Sequence, residues 1–213
     1  MILDKDKALK IADYLLQIKA IKLQPSMPFI WASGMKSPIY CDNRKTLSYP
    51  QIRTAIRQTF AAQIKEYFSN IEVIAGIATG GIGIGVLVAE ELGLPFIYIR
   101  SQAKGHGLGN LVEGDYSEGQ RVVLIEDLIS TGASSLNAVD TLREKKMNVL
   151  GVAAIFTYGL DTAEKSFSSA DCPYITLSDY DHLIEQANKA NYIAEKDIAS
   201  LKKWKSNPEN WEN

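Results

Sequence analysis

Apolar side chains recur at Leu9, Ala12, Leu15, Leu16 and Ile18. That three-and-four spacing places them on one side of a helix, so residues 4–21 are expected to form an amphipathic first helix. Ser26-Met27-Pro28 breaks the pattern. A second helix is expected over residues 50–68, with Pro50 in its first turn and Ile52, Ala55, Ile56, Phe60, Ile64 and Phe68 on one face. After it the texture changes. Short unbroken apolar runs at 73–78, 95–99, 122–125 and 149–156 alternate with helical patterns at 82–92 and 133–147. Strands without polar alternation are buried on both faces, so this β-α-β-α order predicts a mostly parallel twisted sheet flanked by helices on both sides. The last third, from Ser178 to Trp211, reads as one or two amphipathic helices with a polar tail, the first over 178–189. No repeat or low-complexity linker interrupts the chain.

Composition narrows the class. A chain of 213 residues with 46 % apolar content can bury one substantial core, so a single domain over 1–213 is expected. A formal charge of -2, with isolated basic pairs such as Lys202-Lys203 and no larger Lys/Arg cluster, provides no footprint for nucleic acid. Cys41 and Cys172 stand far apart without metal-ligand spacing, which predicts reduced thiols and a cytoplasmic setting. The alternating charges of Asp4-Lys5-Asp6-Lys7 are unlike a secretory leader. Residues 73–89 are free of charge, yet five glycines and a short length argue for strand, loop and helix rather than a membrane span.

The most informative stretch is Val122-Val123-Leu124-Ile125-Glu126-Asp127-Leu128-Ile129-Ser130-Thr131-Gly132-Ala133-Ser134-Ser135. A buried strand is expected to end at two carboxylates, and a turn then opens a helix. N–H groups at a helix start, with the helix dipole and the hydroxyls of Thr131, Ser134 and Ser135, suit a phosphate dianion. Carboxylates would repel that phosphate, so Glu126 and Asp127 should face sugar hydroxyls beside it. The bland reading is a solvated strand end followed by a helix cap.

Two further segments should lie at the carboxyl ends of parallel strands, where such sheets bind ligands. Ala78-Thr79-Gly80-Gly81 fits neither a dinucleotide fingerprint nor a Walker A loop, and its bare backbone N–H groups suit a diphosphate. Residues 100–119 are long for a connection and glycine-rich, as lids are. Arg100, Lys104 and His106 on that lid could close positive charge over a leaving group and exclude water. Nearer the N-terminus, Phe29-Ile30-Trp31-Ala32-Ser33-Gly34-Met35-Lys36-Ser37-Pro38-Ile39-Tyr40-Cys41-Asp42-Asn43-Arg44 is aromatic, basic and rich in turns. His182, Trp204 and Trp211 read as structural.

The 122–135 run resembles the signature of the type I phosphoribosyltransferases, which bind phosphoribosyl pyrophosphate (PRPP). With the Ser-Gly-x-x-Ser-Pro-x-Tyr element at 33–40 and the Lys-x-His-Gly lid at 104–107, the whole chain is similar to the orotate phosphoribosyltransferases. The resemblance implies a type I phosphoribosyltransferase fold with a small hood from residues 1–45 and the C-terminal part. It implies Mg²⁺-dependent transfer of phosphoribose from PRPP to orotate, in a homodimer whose lid reaches the neighbour's site. Expected contacts to PRPP come from Ala78 to Gly81, Arg100, Lys104, His106 and the run Glu126, Asp127, Leu128, Ile129, Ser130, Thr131, Gly132, Ala133, Ser134. Lys104, Asp127, Arg100 and His106 are the expected catalytic groups. Trp31, Ala32, Ser33, Arg44 and Thr131 are expected around orotate, with no firm protein ligand for the metal.

Two departures mark this chain. Some branches of the family carry lysines where this sequence has Ala32 and Gly80, and an arginine after the fourth strand, where residues 156–161 have none. Arg44 then becomes the candidate for the orotate carboxylate, because its planar fork suits one. A purine phosphoribosyltransferase would share the PRPP half, but the 29–44 element disfavours it. A regulator sensing PRPP on the same fold is disfavoured by the lid residues Lys104 and His106.

Overall fold

The structure, a computed structural model, describes residues 1–31, 34–101 and 111–211. Helix α1 (Lys5–Gln17) starts at Asp4, whose side chain accepts from the Lys7 N–H at 3.0 Å. It stops about four residues earlier than its periodicity suggests. Lys19 turns into the left-handed region at φ 54°, and Ile21–Leu23 continues as strand β1. β1 pairs antiparallel with β4 (Ile39–Cys41), and β2 (Phe29–Ile30) with β3 (Lys36–Ser37). These two small sheets lie in the segment expected to form the hood. A 3-10 helix, Asn43–Ser48, leads into α2 (Pro50–Tyr67), which has Pro50 in its first turn as expected.

The main sheet is built from β5 (Val73–Ile77), β6 (Phe96–Ile99), β7 (Val112–Glu113), β8 (Arg121–Ile129), β9 (Asn148–Thr157) and β10 (Tyr174–Asp179). Its spatial order is β10-β9-β8-β5-β6-β7, parallel throughout except for the β6–β7 edge pair. Between β5 and β8 lies the switch point: the chain leaves β5 toward β6 on one side and later returns to β8 on the other. Helices α3 (Gly80–Leu92), α4 (Ala133–Glu144), α5 (Asp161–Ser169), α6 (Tyr180–Lys189) and α7 (Ile198–Ser206) complete the layers.

Alternate residues of one strand feed two cores. Val123 and Ile125 of β8 pack with α1, α2, α3, α6 and α7, whereas Val122 and Leu124 pack with α4 and α5. All four are fully buried, each contributing about 1.5–3 kcal/mol on transfer from water. This two-sided burial is why the run lacks polar alternation.

Several elements differ from the sequence reading. β8 does not end at Ile125: pairing with β9 continues through Glu126↔Ala154 to Ile129↔Thr157, so both carboxyls lie inside the strand. α3 begins at Gly80 rather than Ile82, and α4 closes at Glu144, three residues before Met147. α5 and β10 had no counterpart in the expected elements. β10 runs to Asp179, and α6 starts only at Tyr180 because Asp179 caps it, accepting from the His182 N–H at 2.9 Å. The His182 ring also meets that cap, at 2.7 Å from Nδ1, consistent with a structural role. Trp204 and Trp211 are 0 % and 5 % exposed. The uncharged 73–89 segment is β5, a loop and α3, and among the described residues no helix is long and apolar enough to cross a membrane.

Candidate active site

β8 outruns its neighbour. The β5–β8 ladder ends with Gly76↔Ile125, whereas β8 continues to Ile129 beside β9. The overhang carries Glu126 and Asp127 above the carboxyl end of β5, where the chain turns through Ala78 and Thr79, joined by a cis peptide, into α3. This loop lies directly on β8. A β-carbon at Gly81 would overlap the Ile125 carbonyl oxygen, and one at Gly80 would overlap the Asp127 carboxyl. Close approach to backbone therefore dictates glycine at 81, whereas at 80 a side chain would require the Asp127 carboxyl to turn aside. It also bears on the first departure noted above, since any side chain at position 80 would displace Asp127.

The two carboxyls occupy different surroundings. Glu126 is 6 % exposed; its Oε1 accepts from the Asp127 N–H at 3.0 Å and its Oε2 from the Ser135 hydroxyl at 3.4 Å. Burial foremost, and then the neighbouring Asp127 charge, raise the Glu126 carboxyl well above the usual carboxylate range, which favours its protonated form. Asp127 is only half-buried and faces the glycine loop.

After β8 the chain turns at Gly132, with φ 85°, where a β-carbon would press on the Phe167 ring. Glycine is needed there on both counts. α4 starts at Ala133 without a side-chain cap. Thr131, Ala133 and Ser134 are exposed around that start, which leaves N–H groups and two hydroxyls for an anion. Ser135 instead turns inward to Glu126. Ser130 and Leu128 are half-buried, and Leu128 packs against the core. Ile129 is fully buried, its carbonyl accepting from the Thr157 hydroxyl at 3.0 Å and the Tyr158 N–H at 3.2 Å, so it anchors the turn from beneath.

Arg100 follows β6. Its N–H donates to the Leu111 carbonyl at 2.8 Å and its guanidinium lies 3.4 Å from Glu113 on β7. The β7 edge, too short to read from sequence, thus supplies a partner for a cation expected to face the ligand. Lys104, His106, Ala32 and Ser33 lie outside the described residues.

On the hood side, Trp31 is half-buried, stacked on Tyr158 at 5.3 Å and edge-on to Trp204 at 5.9 Å. Its indole N–H donates to the Ile39 carbonyl at 3.1 Å. Burial, then Cys41, then Asp127 raise the Tyr158 phenol, placing hood and carboxyl strand in one electrostatic neighbourhood. Arg44 is exposed, with Nε–H donating to Asp42 Oδ1 at 2.7 Å. Asn43, which sequence reasoning passed over, is 1 % exposed and donates from Nδ2 to the Asp127 carbonyl at 2.7 Å. No spacing or motif signals that contact, which joins positions 84 residues apart.

A sugar phosphate fits this arrangement: an uncapped helix start, an open carboxyl beside it, and a bare glycine loop across the switch point. Comparison with known proteins points the same way. Residues 45–187 match the phosphoribosyl transferase domain family. The chain is 53 % identical to the orotate phosphoribosyltransferase of Porphyromonas gingivalis over 94 % of its own length and 96 % of that protein's. It is 55 % identical to the orotate phosphoribosyltransferase of Enterococcus faecalis, covering 96 % and 97 % of the two chains. The chain belongs to the orotate phosphoribosyltransferases. Its architecture agrees: the crystal structure of orotate phosphoribosyltransferase from Aeropyrum pernix superposes with a TM-score of 0.75 at 23 % identity, covering 86 % of this chain and 99 % of that one. The six-stranded sheet flanked by helices is thus the type I fold of the family.

Proposed function

We propose that this orotate phosphoribosyltransferase carries out its transfer at the β5–β8 switch point, with the residues there in the following roles. The start of α4, with Thr131, Ala133 and Ser134, holds the 5′-phosphate of PRPP. Asp127, as an open acceptor, and Glu126, as a carboxyl whose burial favours the protonated form, hold the ribose hydroxyls. The Ala78 to Gly81 loop cradles pyrophosphate. Orotate N1 gives up its proton to solvent and bonds to the sugar's anomeric carbon from the opposite face as the bond to the pyrophosphate oxygen breaks, giving orotidine 5′-monophosphate and pyrophosphate. Positive charge develops on the ribose during departure, so a carboxylate fixed beside the ring favours the transition state. Arg100, Lys104 and His106 offset the charge of the leaving group. Trp31, Ala32, Ser33 and Arg44 form the base side, with Arg44 taking the orotate carboxylate.

Among the described residues no three His, Cys, Asp or Glu converge as a metal cage. An open carboxyl beside a diphosphate loop fits Mg²⁺ carried mainly by ligand oxygens and water, as its reluctance to shed water favours. Such an ion, when bound, neutralises the diphosphate. In this reading the protein is a homodimer that places its lid over the neighbour's site, and it works in the cytoplasm, where its free thiols at Cys41 and Cys172 stay reduced.

One observation carries these roles: Asp127 stands on the strand overhang, against the glycine loop and beside an uncapped helix. Asp127→Asn is expected to fold as the parent does and to lose turnover by ~10²–10³-fold, the scale of one preorganised electrostatic contact. Parental turnover in a folded Asp127→Asn protein would remove Asp127 from the ribose.

A further inference from the structure

Both polar backbone groups of Asp127 have side-chain partners. Its N–H donates to Glu126 Oε1 at 3.0 Å, and its carbonyl accepts from Asn43 Nδ2 at 2.7 Å. Beyond Gly76↔Ile125 the overhang has left the β5 ladder while β9 still flanks its other side, so on the open side this peptide is held by those two side chains. Asn43 is 1 % exposed, and its Oδ1 finds no partner among the described residues. A buried amide that leaves its oxygen unpaired while spending its N–H on one distant carbonyl pays a desolvation penalty for that contact.

The segment carrying Asn43 is itself fixed at several points. Thr46 donates to the Asn43 carbonyl at 2.6 Å, the Asp42 N–H bonds to the Ala20 carbonyl at 2.8 Å, and Leu47 packs where a β-carbon at Gly83 would stand. The flanking side chains, Asp42 and Arg44, pair with each other at 2.7 Å. One short 3-10 helix therefore touches the hood strands, the first turns of α3 and the Asp127 peptide together.

We propose that Asn43 is a positioning residue for the transfer reaction: it holds the Asp127 peptide so that the carboxyl meets the ribose at a fixed angle to the base side of the site. The inference rests on the reading of Asp127 given above. A reacting group displaced by on the order of 1 Å can cost about a hundredfold in rate. Loss of the Asn43 bond is therefore expected to act on kcat, with little change in either KM.

Asn43→Ala and the isosteric Asn43→Asp test this, assayed as full-length protein with PRPP, Mg²⁺ and orotate across pH, alongside Asp127→Asn. Asn43→Ala should lower kcat at every pH by a similar factor. A carboxyl at position 43, buried beside Cys41 and the Asp127 carbonyl, can donate to that carbonyl only while protonated. Measured as a ratio to the parent at the same pH, its kcat should approach one toward acid pH and fall as pH rises, whereas the ratio for Asn43→Ala stays level. If both variants keep the parental kcat and change only thermal stability while Asp127→Asn is inactive, Asn43 is merely structural and the proposal fails alone. A deficit in Asn43→Asp that does not vary with pH also overturns it. Parental turnover in Asp127→Asn would instead bring down the reading of Asp127 on which it stands.

Discussion

Glu126 is the least comfortable residue of the site, a carboxyl sealed beneath another carboxyl. Its raised pKa means that the native state holds a proton which the unfolded chain releases above about pH 4.5. Native protein then binds more protons than unfolded protein, so this group makes stability fall as pH rises from that value toward the elevated one. Glu126→Gln cannot ionise and should be free of that slope. Its denaturation midpoint should match the parent's near pH 4 and gain on it as pH rises, by at most about 1.4 kcal/mol per pH unit. A difference that stays constant from pH 4 to 9 would show that Glu126 is ionised in the fold. Arg44 makes a second residue-scale prediction. Its Nε is held by Asp42 while the guanidinium stays exposed, so Arg44→Ala should raise KM for orotate on the order of tenfold or more, the range of a charge-assisted bond. KM for PRPP should hold steady; equal rises for both substrates would make Arg44 a structural residue.

At the scale of elements, what the sequence reveals follows from how each element is buried. β5, β6, β8 and β9 are legible as unbroken apolar runs because two cores claim their alternate residues. α2 and α4 show a helical period because each has one wet face. β10 is less plain: its inward positions include the polar Thr176 and Ser178, at 1 % and 0 % exposure, so 174–177 shows no apolar run and Ser178-Asp179 reads as the start of a helix. β7 has two residues and no pattern to show. The end of β8 escapes for another reason. Nothing local says that a strand continues through Glu126 and Asp127; the continuation depends on β9 lying alongside, 28 residues later at Ile129↔Thr157. The site divides the same way. The glycine loop and the 127–134 turn announce themselves through backbone chemistry, whereas the Asn43 contact and the pairing of Arg100 with Glu113 arise from tertiary placement alone.

For the whole molecule, the proposed dimer and its shared lid make a quantitative expectation. If Lys104 of one subunit serves the site built on the partner's Asp127, then Lys104→Ala and Asp127→Asn, each nearly inactive alone, should complement after denaturation, mixing and refolding. Random pairing makes half the dimers mixed, each with one intact site, so about a quarter of parental activity should return. Mixed dimers that form without regaining activity would confine the lid to its own subunit. The central claim is that this fold, with its switch-point site, passes phosphoribose from PRPP to orotate rather than to another base. The most direct measurement is ultraviolet absorbance on mixing protein, PRPP, Mg²⁺ and one base at a time: orotate, uracil, adenine or hypoxanthine. The account predicts loss of the orotate absorbance with stoichiometric release of pyrophosphate, and no turnover of the other three. Turnover of adenine or hypoxanthine in preference to orotate, or PRPP binding with no consumption of any base, would contradict it.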